Sequence, residues 1–94
     1  MKLVMVGTGY VGLVSGACFA EFGFETVCVD KNQNRIEKIK KGICPFFEPG
    51  MDDLLVKHSQ KTKLLSFTTS LPEAMQNADI VFITVGTPSR RIED

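Results

Sequence analysis

The sequence predicts an α/β fold in which about four parallel strands form one sheet with helices on its faces. Three observations predict it. Apolar runs at Lys2–Val6 and Asp79–Val85 read as central strands covered on both faces, because they lack the alternation of a half-exposed strand. Helical segments separate the strand-like segments in the order β-α-β-α-(α)-β-α-β, which favours parallel pairing with right-handed crossovers. A glycine cluster, Gly7–Gly12, joins the first strand to the first helix.

The elements follow in order. Lys2–Val6 (KLVMV) is short and rich in apolar side chains, hence a buried strand. From about Tyr10 to Phe22 apolar residues fall on several faces, as in a helix packed into a core, and Gly23 stops it. Glu25–Asp30 (ETVCVD) is a second strand ending on a carboxylate. Asn32 to about Lys41 is a charged helix with Ile36 and Ile39 inward, and Gly42 follows its end. The two prolines of Ile43–Gly50 (ICPFFEPG) make a loop, with Phe46 and Phe47 expected at the sheet edge or against another segment. Met51 to about Ser59 is helical, with Asp52 and Asp53 at the dipole end that favours them. Lys63–Phe67 (KLLSF) is a short strand. Ser70-Leu71-Pro72-Glu73 is a capping box in which Glu73 returns a hydrogen bond to Ser70. Asp79–Val85 (DIVFITV) is the strongest strand, ended by Gly86, Thr87 and Pro88 before a polar tail.

Composition narrows the function. The chain has 94 residues, 44% of them hydrophobic and 23% charged, so a disordered chain is excluded. Eleven basic residues balance eleven acidic ones, which argues against nucleic-acid binding through bulk positive charge. The length holds one domain at most and leaves a small stability margin. Cys18, Cys28 and Cys44 match no zinc or redox spacing and read as reduced cysteines of a cytoplasmic protein, Cys18 and Cys28 as small buried residues. The uncharged stretch from Leu3 to Ala20 contains four glycines, so it reads as strand, turn and helix rather than a membrane span or signal peptide. His58, the single histidine, is expected at the surface without a carboxylate partner.

Gly7-Thr8-Gly9-Tyr10-Val11-Gly12 has the pattern G-x-G-x-x-G, in the context that gives the pattern meaning: after a strand, opening a helix, inside a βαβ unit of about thirty residues. Gly7 permits the tight turn, Gly9 lets the backbone approach a pyrophosphate, and Gly12 allows close helix-to-strand packing. Amides at the helix start then face a diphosphate, with the helix dipole adding attraction for negative charge. This is the loop of a Rossmann-type sheet. Asp30 follows Gly12 by eighteen residues and can accept hydrogen bonds from an adenosine ribose; a 2′-phosphate would be repelled, which points to NAD over NADP, although Lys31 beside it weakens that argument. Asp30 as an exposed strand-end carboxylate or helix N-cap is the simpler alternative. Arg35 is either a ribose- or adenine-edge contact or a solvated helix charge. Thr87, just past the last strand, either flanks the dinucleotide with the Val85–Gly86 backbone or merely precedes Pro88 in a turn. No catalytic set and no metal-ligand cluster can be assembled.

Gly7–Leu13 (GTGYVGL), Cys28–Asp30 followed by Arg35 and Ile36, the Pro45 to Glu48-Pro49-Gly50 loop, and Val85–Ser89 (VGTPS) together resemble the N-terminal part of the UDP-glucose 6-dehydrogenases. More distantly, the chain is similar to GDP-mannose dehydrogenases and other nucleotide-sugar dehydrogenases. The resemblance runs from Met1 to about Arg91. It implies backbone contacts from Tyr10 and Val11 to the pyrophosphate, Asp30 on the adenosine ribose, Arg35 supporting that end, and Thr87 lining the cleft. The family oxidises a sugar C6 alcohol to a carboxylate in two NAD-dependent steps, using a cysteine, a lysine and an aspartate that lie beyond this chain. The resemblance therefore implies that residues 1–94 form an incomplete NAD-binding Rossmann domain, truncated at about four strands, with the UDP-glucose-binding substrate domain absent and no catalysis of its own. A stand-alone dinucleotide-binding module is the reading from another class. A half-sheet that exposes Asp79–Val85 is expected to self-associate as a homodimer.

Overall fold

The computed structural model of the chain describes residues 1–85. Four strands form one parallel sheet: β1 (Lys2–Val6), β2 (Glu25–Val29), β3 (Leu65–Thr68) and β4 (Ile80–Ile83), in spatial order β3-β2-β1-β4. Helix α1 (Tyr10–Glu21) joins β1 to β2; α2 (Gln33–Lys40) and α3 (Met51–Val56) lie between β2 and β3; α4 (Leu71–Met75) leads into β4. The register sets Lys2 opposite Glu25 and Val6 opposite Val29, so β1 and β2 end level with each other.

Successive residues of a strand face opposite sides of the sheet, and the core divides accordingly. Met5, Cys28, Leu65 and Phe67 share one face with Leu13 and Ala17 of α1, Ile36 and Ile39 of α2, and Met51 and Leu55 of α3. Val4, Val27 and Val29 share the other with Ala74 of α4. Among the described residues, one face thus carries three helices and the other a single short one. Burial in the thicker layer pushes the Cys28 thiol up to about 12, so it behaves as an apolar side chain.

Several expectations need correction. β3 begins at Leu65 rather than Lys63, because Lys63 has a φ of 60° and cannot continue an extended strand. β4 is an edge strand of the described sheet, not a central one. Its only described neighbour is β1, and Ile83 is 70% exposed. Helix α3 stops at Val56, and the chain continues as a wider π-helical turn, Lys57–Lys61. Within that turn His58 is buried, against expectation. Its Nε2 lies 2.6 Å from Glu21 Oε1 and its Nδ1 2.9 Å from Thr62 Oγ1. Together with Lys57 Nζ at 3.3 Å, this ring holds the Glu21 carboxyl below the usual carboxylate range. Cys18 is exposed, because it falls on the outward side of α1. The capping box is half formed: Ser70 Oγ accepts from Glu73 N, but the Glu73 carboxylate accepts from Thr68 Oγ1 instead of from the Ser70 amide. The amide of Ser70 donates to Thr68 Oγ1, so the threonine relays the bond.

The turn between β1 and α1 is closely packed. Gly7 has a φ of +115°, which a side chain would disfavour, and its amide donates to Val29 O at 2.7 Å. A β-carbon at Gly12 would collide with the Gly7 carbonyl oxygen, whereas one at Gly9 would meet nothing within 4 Å. Gly12→Ala is therefore expected to cost about 2–3 kcal/mol, read as a lower urea midpoint with an unchanged slope. Gly9→Ala should stay within about 0.5 kcal/mol of the parent in the same experiment.

Candidate functional site

The first turn of α1 is open to an external acceptor. Gly9 occupies the N-cap position and offers no side chain to the helix amides. The first main-chain bond of the helix runs from Leu13 N to Gly9 O at 2.9 Å, so the amides of Tyr10, Val11 and Gly12 precede the intrahelical ladder. Aligned peptide dipoles add positive potential there, which suits a diphosphate. Tyr10 and Val11 are exposed on the outer side of the same turn.

Asp30 sits one residue past β2, where the parallel register brings it beside the glycine turn. Its Oδ2 accepts from Thr8 Oγ1 at 2.5 Å and from Thr8 N at 3.1 Å. Its Oδ1 accepts from Asn32 N at 2.9 Å. The Arg35 guanidinium lies 3.8 Å from Oδ2, on a side chain that is 40% exposed. Burial would raise the Asp30 carboxyl, but the bonds from Thr8 and Asn32 and the charge of Arg35 outweigh it and hold the group below its ordinary value. Asp30 is thus an ionised, oriented acceptor rather than a loose strand-end carboxylate. Asn32, not Asp30, caps α2, its side chain accepting from Arg35 N at 3.0 Å.

A cleft of about 660 Å³ opens at the carboxyl ends of the strands. Gly7 and Asp30 line one part of it, and Lys31, Leu71, Pro72 and Val85 line others. This is where open α/β sheets bind ligands. A second concavity, about 670 Å³, lies in the loop from Cys44 to Asp53. The strand-end cleft is the stronger candidate, since the glycine turn at Gly7 and the ordered Asp30 carboxylate both line it. The two regions touch through Tyr10, whose hydroxyl donates to Glu48 Oε1 at 3.0 Å and whose ring lies 5.1 Å from that of Phe46. The Glu48 carboxylate raises the Tyr10 phenol above its usual range. Phe46 joins the core while Phe47 projects outward, 91% exposed.

The structure therefore brings Gly7, Gly9, Tyr10, Val11, Gly12, Asp30 and Arg35 to one end of the sheet. Thr87 lies outside the described residues. The sequence reading missed Thr8 and Thr84. Among the described residues, Thr8 alone reaches Asp30 with a side-chain hydroxyl. Thr84 Oγ1 donates to Val6 O at 2.9 Å and to Gly7 O at 3.3 Å, which bolts the end of β4 to the glycine turn. Each follows a motif or strand residue as an unremarkable threonine, and only the parallel register shows what it meets. No helix among the described residues is long and apolar enough to cross a membrane.

A glycine turn, a helix start without a side-chain cap and an ordered carboxylate at the end of the second parallel strand together define a Rossmann-type dinucleotide-binding domain. Comparison with known proteins specifies which. The chain belongs to the UDP-glucose/GDP-mannose dehydrogenase family, matching its NAD binding domain over residues 1–94, and the cofactor of that domain is NAD. It is 54% identical over 91 residues to the UDP-glucose 6-dehydrogenase of Rhizobium meliloti, covering 97% of this chain and 21% of that protein. It is 47% identical over 87 residues to UDP-glucose 6-dehydrogenase TuaD of Bacillus subtilis, covering 93% of this chain and 19% of the relative. Among solved structures, a ternary complex of GDP-mannose dehydrogenase from Pseudomonas aeruginosa matches with a TM-score of 0.91 at 38% identity, over 100% of this chain and 21% of that one. A UDP-glucose dehydrogenase from Pyrobaculum islandicum matches with a TM-score of 0.86 at 36% identity, over 95% and 20%. The chain thus spans about a fifth of the length of the relatives it matches.

Asp30 also gives the fold a pH dependence. Because its carboxyl is held below its ordinary value, it stabilises the folded state fully above the ordinary carboxylate range, and that contribution is lost as pH falls through the depressed value. Asp30→Asn is expected to lower stability at neutral pH by about 1–2 kcal/mol and to flatten the acid side of the stability profile, as followed by urea unfolding from neutral pH downward.

Proposed function

We propose that this chain is the N-terminal NAD-binding portion of a UDP-glucose 6-dehydrogenase, and that it does not turn over UDP-glucose by itself. The complete enzyme would convert UDP-glucose to UDP-glucuronate with reduction of two NAD, in polysaccharide synthesis. The observation that carries the NAD part is the ordered Asp30 carboxylate beside the open amides of α1. The choice of UDP-glucose rests on sequence relatives such as the Rhizobium and Bacillus enzymes. A GDP-mannose dehydrogenase is the second reading, favoured by the close match to the Pseudomonas structure.

In this reading the amides of Tyr10, Val11 and Gly12 hold the diphosphate, and Gly9 leaves room for it. Asp30 receives the adenosine ribose and Arg35 flanks that end. NAD supplies hydride acceptance when bound; the residues of this chain bind and orient it. The three cysteines are free, which supports a reducing, cytoplasmic setting. The exposed edge of β4 supports self-association as a homodimer.

Calorimetry of the purified chain should show NAD binding more tightly than NADP, with Asp30→Ala narrowing the difference. Equal affinity for the two cofactors would overturn the assignment of Asp30. With UDP-glucose and NAD present, no NADH should accumulate; appearance of its absorbance at a rate proportional to the chain's concentration would show that the chain is competent after all.

A further inference from the structure

We propose that Thr8 is a positioning residue for dinucleotide recognition: its hydroxyl and amide fasten Asp30 Oδ2 to the glycine turn, leaving the open acceptor position of the carboxylate on Oδ1 for a ribose hydroxyl. The inference rests on the NAD reading above and goes one residue deeper. A carboxylate has about four lone-pair positions, two on each oxygen. Both positions of Oδ2 are taken by Thr8, through Oγ1 at 2.5 Å and N at 3.1 Å. One position of Oδ1 is taken by Asn32 N at 2.9 Å. A single position remains, and it lies on Oδ1. Thr8 is completely buried, while the Asp30 side chain keeps 19% of its surface. The hydroxyl of Thr8 therefore serves the carboxylate and not solvent.

Two consequences follow for recognition. A group held at both oxygens cannot turn away from the cleft, so the ribose meets an acceptor already in place. The same anchoring keeps the carboxylate charged against its partial burial, and it is the charge that repels a 2′-phosphate. Thr8 thereby acts on cofactor choice without touching the ribose. It also ties the ribose receptor to the backbone that carries Gly7 and Gly9, so the diphosphate and ribose subsites move as one unit.

The test compares the parent chain with Thr8→Val and Thr8→Ser. Valine keeps the shape and the amide but removes the hydroxyl, and serine restores the hydroxyl. Three quantities are read: NAD affinity, the NAD-to-NADP affinity ratio, and the pH midpoint of Asp30 from carboxyl carbon NMR. Thr8→Val should bind NAD about tenfold more weakly, lower the ratio, and shift the Asp30 midpoint upward; Thr8→Ser should return all three toward the parent. If Thr8→Val lowers only the urea midpoint and leaves the ratio and the Asp30 titration unchanged, Thr8 is merely structural and the proposal fails. If Thr8→Val does not fold, Thr8→Ala is read in the same way: a lowered NAD-to-NADP ratio with a raised Asp30 midpoint supports the proposal, and an unchanged ratio and titration overturn it. A parent chain that binds neither cofactor overturns the NAD reading itself, a failure distinct from the one in which NAD binds but Thr8 is silent.

Discussion

Residue 12 lies so close to the Gly7 carbonyl oxygen that a β-carbon would overlap it, and the course of the chain on either side depends on that approach. Because the helix can sit against the turn, Leu13 and Ala17 reach Met5 and Cys28 in the thicker core layer. The same approach puts Gly16 next to Cys28, where a β-carbon would lie 2.8 Å from the sulfur. It also aims the first-turn amides at the strand ends. Fold and site thus share one steric condition: the packing that seats α1 is the packing that presents its amides.

The electrostatics are local rather than global. A chain with zero formal charge has no broad field with which to draw an anionic ligand. What it has is a helix dipole and one carboxylate, each placed by backbone geometry. On the proposed NAD reading, attraction for the diphosphate and exclusion of a ribose phosphate are separate devices, eighteen residues apart from Gly12 to Asp30. The Asp30–Thr8 bond couples them, and the Arg35–Asp30 pair at 3.8 Å adds little because the guanidinium is partly in solvent.

Much of this could be read in the sequence, and the limits have physical causes. The strand–turn–helix around Gly7–Gly12 and the carboxylate after β2 were legible because their signals are local: β-branched runs, glycine spacing, and a fixed offset to Asp30. Ile36 and Ile39 were placed in the core by helical spacing, and the helix ends at Gly23 and Gly42 by residue type. His58 was not, since its partner Glu21 stands 37 residues away and a π-helical turn carries it inward. Thr8 and Thr84 escaped for the same reason, their partners being set by parallel register across 22 and 78 residues. Cys18 misled because an apolar helix with little amphipathic contrast does not say which side faces out. Lys63 betrayed no left-handed backbone, which lysine rarely adopts.

Among the described residues the sheet is covered unequally, by three helices on one side and by the five residues of α4 on the other. The thin side also supplies Leu71 and Pro72 to the strand-end cleft. In hydrogen exchange, amides beneath a thin layer open through small local fluctuations, whereas those beneath a thick one wait for global unfolding. The cleft is therefore bounded by Asp30 and the glycine turn on one part and by Leu71 and Pro72 of α4, the described helix of the thin layer, on another. A ligand that touches both would spread slow exchange outward from β1 and β2 toward α4, and the boundary of that protection would trace its footprint.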